Sequence, residues 1–279
     1  MRTIVHLSDL HFGRVDAQLL APLSAFLQAT RPDVLVVSGD LTQRAKPQEF
    51  VQARAFLDTF SMPKIIVPGN HDVPLYDVFR RFFSPLKRYQ RYITSDMEPF
   101  YADDEIAVLG INSARSLTFK GGRVNAAQME RVRARLQPLS QRLVKILVTH
   151  HPFDLPAGMS KDDLVGRADM AMKAFAVCGV DVLLGGHMHT SEAITTGQRY
   201  REGNYSALSI QAGTATSTRQ RDEANSFNVL RVTCDRVELD EIGWVAQEGV
   251  FKKTCGQVFA ADQDGWVTAP ATTSAAPKN

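Results

Sequence analysis

Five short apolar runs, each followed closely by polar residues that can bind metal ions, constrain this chain more than any other feature. The runs are Ile4-Val5, Val34-Leu35-Val36-Val37, Ile65-Ile66-Val67, Ile146-Leu147-Val148 and Val182-Leu183-Leu184. The residues that follow them are, in the same order, Asp9 with His11, Asp40, Asn70 with His71 and Asp72, His150 with His151, and His187 with His189. Runs of this length and composition are typical of buried parallel strands. Because open α/β sheets bind ligands at the carboxyl ends of their strands, we expect these residues to meet at one edge of one sheet.

The order of the predicted elements indicates a parallel sheet with helices, followed by an antiparallel half. Up to about residue 190, predicted strands alternate with helices near 17–29, 47–60, 125–136 and 163–178. After residue 190, short alternating segments are separated by turn residues such as Thr196-Gly197, which is typical of antiparallel strands. We therefore expect a second sheet, built from the later residues, to pack on the first with the helices outside.

The chain of 279 residues is long enough for one large domain with a sizeable core. We assign residues 1–266 to that domain. Residues 267–279 are rich in Ala, Thr, Pro and Ser and show no apolar period, so they predict a disordered tail.

Residues 76–92 interleave basic and aromatic side chains, among them Arg80, Arg81, Phe79 and Phe83. Because this stretch follows His71 so closely, we assign residues 74–104 as a cap that leans over the site. Two alternatives stay open: a solvated helix with its aromatic residues packed inward, and a platform on which nucleic-acid bases stack.

Charge and cysteine content narrow the partners and the compartment. The net charge is +2, so no overall field favours nucleic acid or an anionic membrane as a partner. No apolar run approaches the roughly 18 residues that a spanning helix needs. Three cysteines form an odd, sparse set that fits a reducing compartment. We expect a cytoplasmic protein without a membrane partner.

The candidate ligands offer mixed nitrogen and oxygen chemistry. They are Asp9, His11, Asp40, Asn70, His150, His187 and His189. In the pairs Asp9/His11 and His187/His189, strand alternation would point side chains at i and i+2 the same way. One tetrahedral zinc ion needs four ligands, whereas this larger set suits two ions with Asp40 as the shared carboxylate. Two such ions neutralise a phosphate and generate hydroxide at neutral pH, so the set predicts hydrolysis of a phosphoester.

Two polar residues beside the ligands receive other roles. His71 follows Asn70 directly but has no paired ligand spacing of its own. Because imidazole is well matched to neutral pH, we assign His71 as the general acid that protonates the leaving oxygen. Asp72 is assigned as a supporting residue that orients a histidine.

Five motifs resemble the calcineurin-like metallophosphoesterase superfamily in their order and approximate spacing. They are Asp9-x-His11, Gly39-Asp40, Gly69-Asn70-His71-Asp72, His150-His151-Pro152 and Gly186-His187-x-His189. The resemblance covers roughly the first 190 residues. The residues around each motif, such as Leu7-Ser8-Asp9-Leu10-His11, look most like those of the bacterial branch that includes class III cyclic nucleotide phosphodiesterases and glycerophosphodiesterases.

This resemblance implies a four-layer αββα sandwich and a dinuclear centre that holds manganese, iron or both, or zinc. It implies that one metal is bound by Asp9, His11, Asp40 and His189, and the other by Asp40, Asn70, His150 and His187, with a bridging hydroxide as the nucleophile. The implied substrate is a small phosphodiester such as a 3′,5′-cyclic nucleotide.

Two departures and several alternatives accompany the resemblance. Gln43 stands where the protein Ser/Thr phosphatase branch carries an Asp, which argues against that activity. Asn112 stands where relatives often have an Asp, so we assign no substrate contact there. A nuclease or phosphomonoesterase on the same fold, and a scaffold that has lost catalysis, are the alternatives. The antiparallel half leaves a homodimer open.

Overall fold

The computed structural model describes residues 1–116, 121–156, 159–200, 205–218, 224–262 and 265–269. Its helices are α1 (Ala17–Thr30), α2 (Pro47–Asp58), α3 (Val78–Phe83), α4 (Lys87–Tyr92), α5 (Ala126–Leu136) and α6 (Ala168–Cys178). Its strands are β1 (Arg2–Leu7), β2 (Val34–Val37), β3 (Lys64–Ile66), β4 (Phe100–Ala102), β5 (Ile106–Gly110), β6 (Val144–Val148), β7 (Val182–Gly185), β8 (Glu192–Thr195), β9 (Leu208–Gln211), β10 (Ser226–Thr233), β11 (Arg236–Val245), β12 (Val250–Asp262) and β13 (Gly265–Ala269). Among the described residues, no helix combines the length and the apolar character that crossing a membrane requires.

The strands form two mixed sheets, with the orders β13-β12-β11-β10-β1-β2-β3 and β4-β5-β6-β7-β9-β8. The expected division, with one sheet built before residue 190 and the other after it, is wrong. Strands β1 to β3 are parallel in the first sheet, while β5, β6, β7 and β9 are parallel in the second. The chain returns to the first sheet at β10, which pairs antiparallel with β1 from Arg2↔Val232 to His6↔Asn228. Sheet membership depends on non-local pairing, which apolar runs of similar composition do not encode.

The predicted four-layer αββα sandwich is confirmed by the packing of the two sheets. Ile4 and Val36 of the first sheet face Val108 and Ile146 of the second, in a core between the sheets. The outer face of the first sheet is covered by α1, α2 and α4, and the outer face of the second by α5 and α6. Because both faces of the parallel strands are covered, their sequences read as continuous apolar runs.

Helix α1 shows how the local sequence sets an element of the outer layer. The Asp16 side chain accepts a hydrogen bond from the backbone N–H of Gln18, which caps the helix start. Leu19, Leu23 and Leu27 are buried on one face, at the spacing of a helical stripe. The stripe places α1 against the outer face of the first sheet.

The segment 74–104, assigned as a cap, is built partly into these layers. Tyr89 of α4 is fully buried, and its hydroxyl donates to the carbonyl of Ile66 at 2.9 Å. Strand β4 pairs antiparallel with β5, with Phe100 opposite Leu109. Helix α3 differs, because its apolar side chains stay exposed. Inward packing of the aromatic residues therefore holds for α4 and not for α3.

The predicted tail begins too early. Val267 to Ala269 complete β13, which pairs antiparallel with β12 and places Trp266 in the core between the sheets. A single large buried side chain after a polar stretch shows no apolar period, so the sequence carried no sign of this strand. Residues 270–279 of the predicted tail lie outside the described residues.

Candidate metal centre

The candidate ligands lie where the carboxyl ends of the two sheets meet. Asp9 and Asp40 follow β1 and β2 of the first sheet, whereas His150 and His187 follow β6 and β7 of the second. The expectation that all of them share one edge of one sheet is therefore wrong. Both sheets direct their parallel strands toward a common edge, so residues more than a hundred positions apart come into contact.

Five of the seven predicted ligands have a left-handed backbone conformation. The φ angles are 54° for Asp9, 50° for His11, 52° for Asp40, 72° for His187 and 64° for His189. Residues other than glycine seldom adopt this conformation, although Asp and His do so more often than most. It turns the chain sharply after each strand. The side chains at i and i+2 therefore converge through the loop backbone, and the expected strand alternation is not the cause.

Asp9, His11 and His189 form the first group of ligand atoms. Oδ1 of Asp9 lies 3.3 Å from Nε2 of His11 and 3.6 Å from Nε2 of His189. Oδ2 of Asp40 lies 3.8 Å from Nε2 of His11. The structure thus brings together the four residues predicted to hold one metal ion.

Asn70, His150 and His187 form the second group. Oδ1 of Asn70 lies 3.0 Å from Nε2 of His150 and 3.1 Å from Nδ1 of His187. Oδ1 of Asp40 lies 3.4 Å from Nε2 of His150. Asp40 therefore directs one oxygen to each group, which is the geometry that a bridging carboxylate needs.

Backbone carbonyls orient two of the imidazole rings. Nδ1 of His150 lies 2.7 Å from the carbonyl oxygen of Ser38, and Nδ1 of His71 lies 2.9 Å from that of Gln43. Because a carbonyl oxygen only accepts hydrogen bonds, Nδ1 of each ring carries the hydrogen. In both residues Nε2 is then the nitrogen that faces the site.

Two side-chain hydroxyls contact the candidate ligands, and the sequence analysis missed both of them. Oγ1 of Thr214 lies 2.6 Å from Nδ1 of His189, and Oγ of Ser8 donates to Oδ2 of Asp9 at 2.6 Å. Ser8 is adjacent to a ligand and could have been found on that ground. Thr214 follows β9, 25 residues after His189, and no local signal marks it.

Asp72 has a different partner set from the one predicted. Its carboxylate accepts hydrogen bonds from the backbone of Leu41, Thr42 and Gly69 and from the Thr42 hydroxyl. Within the described ranges, Asp72 therefore ties two loops together and has no hydrogen bond to a histidine ring. The orienting groups are the carbonyls and hydroxyls named above, which sequence motifs do not display.

His151 lies next to the second group. Its ring centroid is 4.8 Å from that of His187, and its Nδ1 is 2.8 Å from Oγ of Ser113. The side chain is fully buried. Ligand atoms of His151, His150 and His187 lie within 4.8 Å of one another, so the choice of His150 as the ligand of the pair stays a prediction.

Burial and the contacts between the charged side chains shift the pKa values of the cluster in opposite directions. Burial opposes the charge on Asp40, but His150 holds the pKa of that carboxyl well below its usual range. Burial likewise opposes protonation of His150, yet Asp40 raises the pKa of this imidazole to about 9. Burial and the neighbouring His150 lower the pKa of His187 to about 4. A buried carboxylate among imidazoles thus attracts positive charge, which a metal cation also supplies.

The residues fit two metal ions. Oδ1 of Asp9 is buried and accepts no hydrogen bond within the described part of the chain, although it points among imidazole nitrogens. The ligand atoms of Asp9, His11 and His189 all lie within 4.8 Å of one another. Nitrogen and oxygen donors without thiolates suit manganese, iron or zinc better than a soft metal.

Comparison with known proteins gives a family match and several distant relatives. The calcineurin-like phosphoesterase family model matches residues 2–191. A probable cyclic nucleotide phosphodiesterase of Synechococcus sp. is 26% identical over 201 residues, which cover 67% of this chain and 73% of that protein. The 3′,5′-cyclic adenosine monophosphate phosphodiesterase CpdA of Escherichia coli is 28% identical over 205 residues, which cover 67% of this chain and 69% of that protein.

Among solved structures, the purple acid phosphatase PPD1 from yellow lupin seeds superposes with a TM-score of 0.70 and 14% identity. The superposition covers 99% of this chain and 57% of the lupin chain, and at this identity it shows the shared fold alone. The family match, by contrast, spans all five motifs and all seven candidate ligands. The chain therefore belongs to the calcineurin-like phosphoesterase family and is a metallophosphoesterase.

Proposed function

We propose that this protein is a metal-dependent phosphodiesterase that hydrolyses a small phosphodiester, with 3′,5′-cyclic nucleotides as the candidate substrates. The observation that carries the proposal is Asp40, which directs one carboxylate oxygen to each group of ligand atoms. The preference for a diester rests on the relatives named as cyclic nucleotide phosphodiesterases. The intact ligand set argues against a scaffold that has lost catalysis.

Two metal ions complete the centre in this proposal. Asp9, His11 and His189 would hold one ion, Asn70, His150 and His187 would hold the other, and Asp40 would bind both. When bound, the ions supply charge neutralisation at the phosphoryl oxygens and a hydroxide at neutral pH. Manganese, iron or both are the proposed metals, with zinc as the alternative.

His71 is the proposed general acid. Its side chain is 17% exposed, whereas those of His11 and His150 are fully buried. The Gln43 carbonyl fixes its ring at Nδ1, so Nε2 faces the centre and can give a proton to a leaving oxygen. The backbone N–H of His71 donates to Oδ1 of Asp40 at 2.8 Å, which holds the acid beside the bridging carboxylate.

The cytoplasm is the proposed compartment. Cys178, Cys234 and Cys255 are all free thiols. Free thiols persist in a reducing environment, whereas oxidising compartments favour disulfides.

The test compares cyclic AMP, bis-(p-nitrophenyl) phosphate and p-nitrophenyl phosphate with the manganese-loaded protein. We expect both diesters to be cleaved faster than the monoester, and cleavage to stop when a chelator is present. The control is the chelated protein after manganese has been restored, which should recover its activity. Cleavage that survives chelation would remove the metal dependence, and a faster monoester would remove the diester assignment.

A further inference from the structure

Helix α3 has its polarity reversed relative to a helix that packs on a protein core. Arg81 is 3% exposed, and its Nη1 donates to the carbonyl of Pro74 at 3.1 Å. Val78, Phe79, Phe82 and Phe83 are instead 61%, 72%, 50% and 75% exposed. Burying a guanidinium while leaving three phenylalanines in water is costly unless something covers the phenylalanines.

These exposed side chains come from one short stretch of the chain. Tyr76, which precedes the N-cap residue of the helix, is 77% exposed, and the rings of Phe79 and Phe83 pack together with centroids 4.7 Å apart. We call Tyr76, Val78, Phe79, Phe82 and Phe83 the α3 patch. Other exposed large hydrophobic residues of the described ranges, such as Val51 and Val177, come from separate elements. A grouped apolar patch on a protein surface marks a site of interaction.

A basic cavity adjoins the patch. It has a volume of about 600 Å³ and lies between α3 and α4, with Phe79 in its wall. Its charged lining consists of Arg80, Lys87, Arg88, Arg91 and Asp77. Asp77 pairs with Arg80 at 2.7 Å and lies 3.9 Å from Arg88. In the described chain Lys87 and Arg91 form no ion pair, so the cavity keeps a positive excess.

We propose that the α3 patch and the basic cavity dock this protein on the surface of an anionic lipid bilayer. Aromatic side chains on one face of a helix insert at the boundary between lipid headgroups and acyl chains, while nearby cations attract anionic headgroups. The basic cavity would receive a lipid phosphate beside the inserted phenylalanines. Because the net charge of the whole chain is small, the sequence analysis expected no membrane partner. A net charge for the whole chain does not show the local excess of positive charge in this cavity.

Two other occupants fit the surface less well. In a two-fold homodimer the same patch meets its own copy, and the residues of the patch include no carboxylate that could pair with the cations of the adjoining cavity. Single-stranded nucleic acid needs free ring faces for stacking. Phe79 and Phe83 each cover part of the other's ring, and Val78 has no ring to offer.

Vesicle co-sedimentation of the full, manganese-loaded chain tests the proposal. We expect binding to vesicles of phosphatidylcholine mixed with phosphatidylglycerol, little binding to phosphatidylcholine alone, and weaker binding as salt is raised. Phe79→Ser with Phe83→Ser should weaken binding about a hundredfold or more, because burial of each phenylalanine in the bilayer is worth roughly tenfold or more in affinity. Lys87→Glu with Arg91→Glu should weaken it by about fivefold or more for each reversed cation.

Matched variants separate this surface from general effects. Val51→Ser with Val177→Ser removes exposed apolar side chains elsewhere, and Arg142→Glu with Lys173→Glu makes the same change in net charge at exposed positions. Both control pairs should bind as the wild type does. Circular dichroism melts should confirm that every variant is folded. If the phenylalanine pair melts early, Phe83→Ser alone replaces it, and Lys87→Glu alone replaces the charge pair in the same way.

Four results would overturn the proposal. The wild type could remain in the supernatant with the mixed vesicles at low salt, or the control pairs could lose as much binding as the patch and cavity variants. Competition by free pyrophosphate without any effect of the phenylalanine pair would indicate a site for free phosphate compounds. Binding of a single-stranded oligonucleotide, or self-association, that depends on the patch in the absence of vesicle binding would assign the surface to those partners.

Discussion

Asp72→Asn should destabilise the protein by about 3 kcal/mol, because its carboxylate ties the loops after β2 and β3 together. Oδ2 accepts hydrogen bonds from the backbone N–H of Leu41 at 3.2 Å and of Gly69 at 2.9 Å. Oδ1 accepts from the backbone N–H and the hydroxyl of Thr42, both at 2.9 Å. Asparagine has the same shape, but its NH₂ group donates and cannot accept. It can therefore satisfy one of the two pairs of donors.

The magnitude follows from the two donors that would face the new amide nitrogen. Asp72, Leu41 and Thr42 are buried, and each buried N–H without an acceptor costs about 1–3 kcal/mol, or roughly 2–6 kcal/mol for two. Burial and the nearby Asp40 raise the pKa of Asp72 to about 6, despite its four donors. Removing this charge offsets part of the loss, which places the expected value in the lower half of the range, at about 3 kcal/mol.

Urea unfolding of the chelated proteins near neutral pH measures the change in free energy of unfolding. Metal is removed because ligand binding to the folded state would add its own stability. Asp16→Asn is the control: Asp16 accepts a hydrogen bond from the backbone N–H of Gln18 at 3.0 Å, and Asn caps a helix equally well. A loss for Asp72→Asn below about 1 kcal/mol, the value of one ordinary hydrogen bond, would refute the proposed tie.

Four further predictions concern the centre itself. Asp40→Asn should lower the metal content per chain, measured by plasma emission spectroscopy, whereas unchanged content would contradict a bridging carboxylate. His71→Ala should slow cleavage of substrates with poor leaving groups by about 10²–10⁴-fold while sparing nitrophenyl esters, and equal losses on both would remove the general-acid role. In Gly69→Ala the added Cβ would lie 2.1 Å from Oδ1 of Asp40 and 2.3 Å from its backbone nitrogen. This variant should lose metal and melt early, so a normal melt with full metal content would show that the loop can move aside. Manganese added to the metal-free protein should raise its melting temperature, since a hundredfold excess over Kd is worth about 2.7 kcal/mol, and no shift would argue against a metal site.

Local motifs identified the candidate ligands, because each of them stands within a few residues of an apolar run. The predicted groups around Asp9 and around His150 each come together in the structure. The assignment of strands to sheets was not predictable in this way. Strands β1 and β6 are both apolar on two faces, and nothing within either strand states that β10 will pair with one and β7 with the other.

Residues outside the motifs were beyond sequence reasoning for two different reasons. Thr214 contacts His189 only through the fold, and no spacing rule connects the two. Arg81 and Phe83 lie in one short helix. Its composition was compatible with aromatic side chains that pack inward and with aromatic side chains that face the solvent. The buried guanidinium decides between these faces, and a sequence pattern cannot show which face a neighbouring element covers.

The ligand residues with a left-handed backbone conformation indicate that the polypeptide itself holds the geometry of the centre. This conformation costs roughly 1–2 kcal/mol at each residue other than glycine, so it persists only where the surrounding structure enforces it. The loops after β1 and β2 do so by pairing beyond their strands: Asp9 N–H donates to Gly39 at 3.1 Å, His11 N–H to Asp40 at 2.9 Å, and Phe12 N–H to Leu41 at 2.8 Å. Because these contacts join backbone groups, we expect them to hold the ligand loops in place with or without an ion. Small metal-folded domains behave in the opposite way, since they unfold when the ion is removed. Here three apolar clusters lie apart from the centre, so removal of metal should lower stability and leave the fold intact.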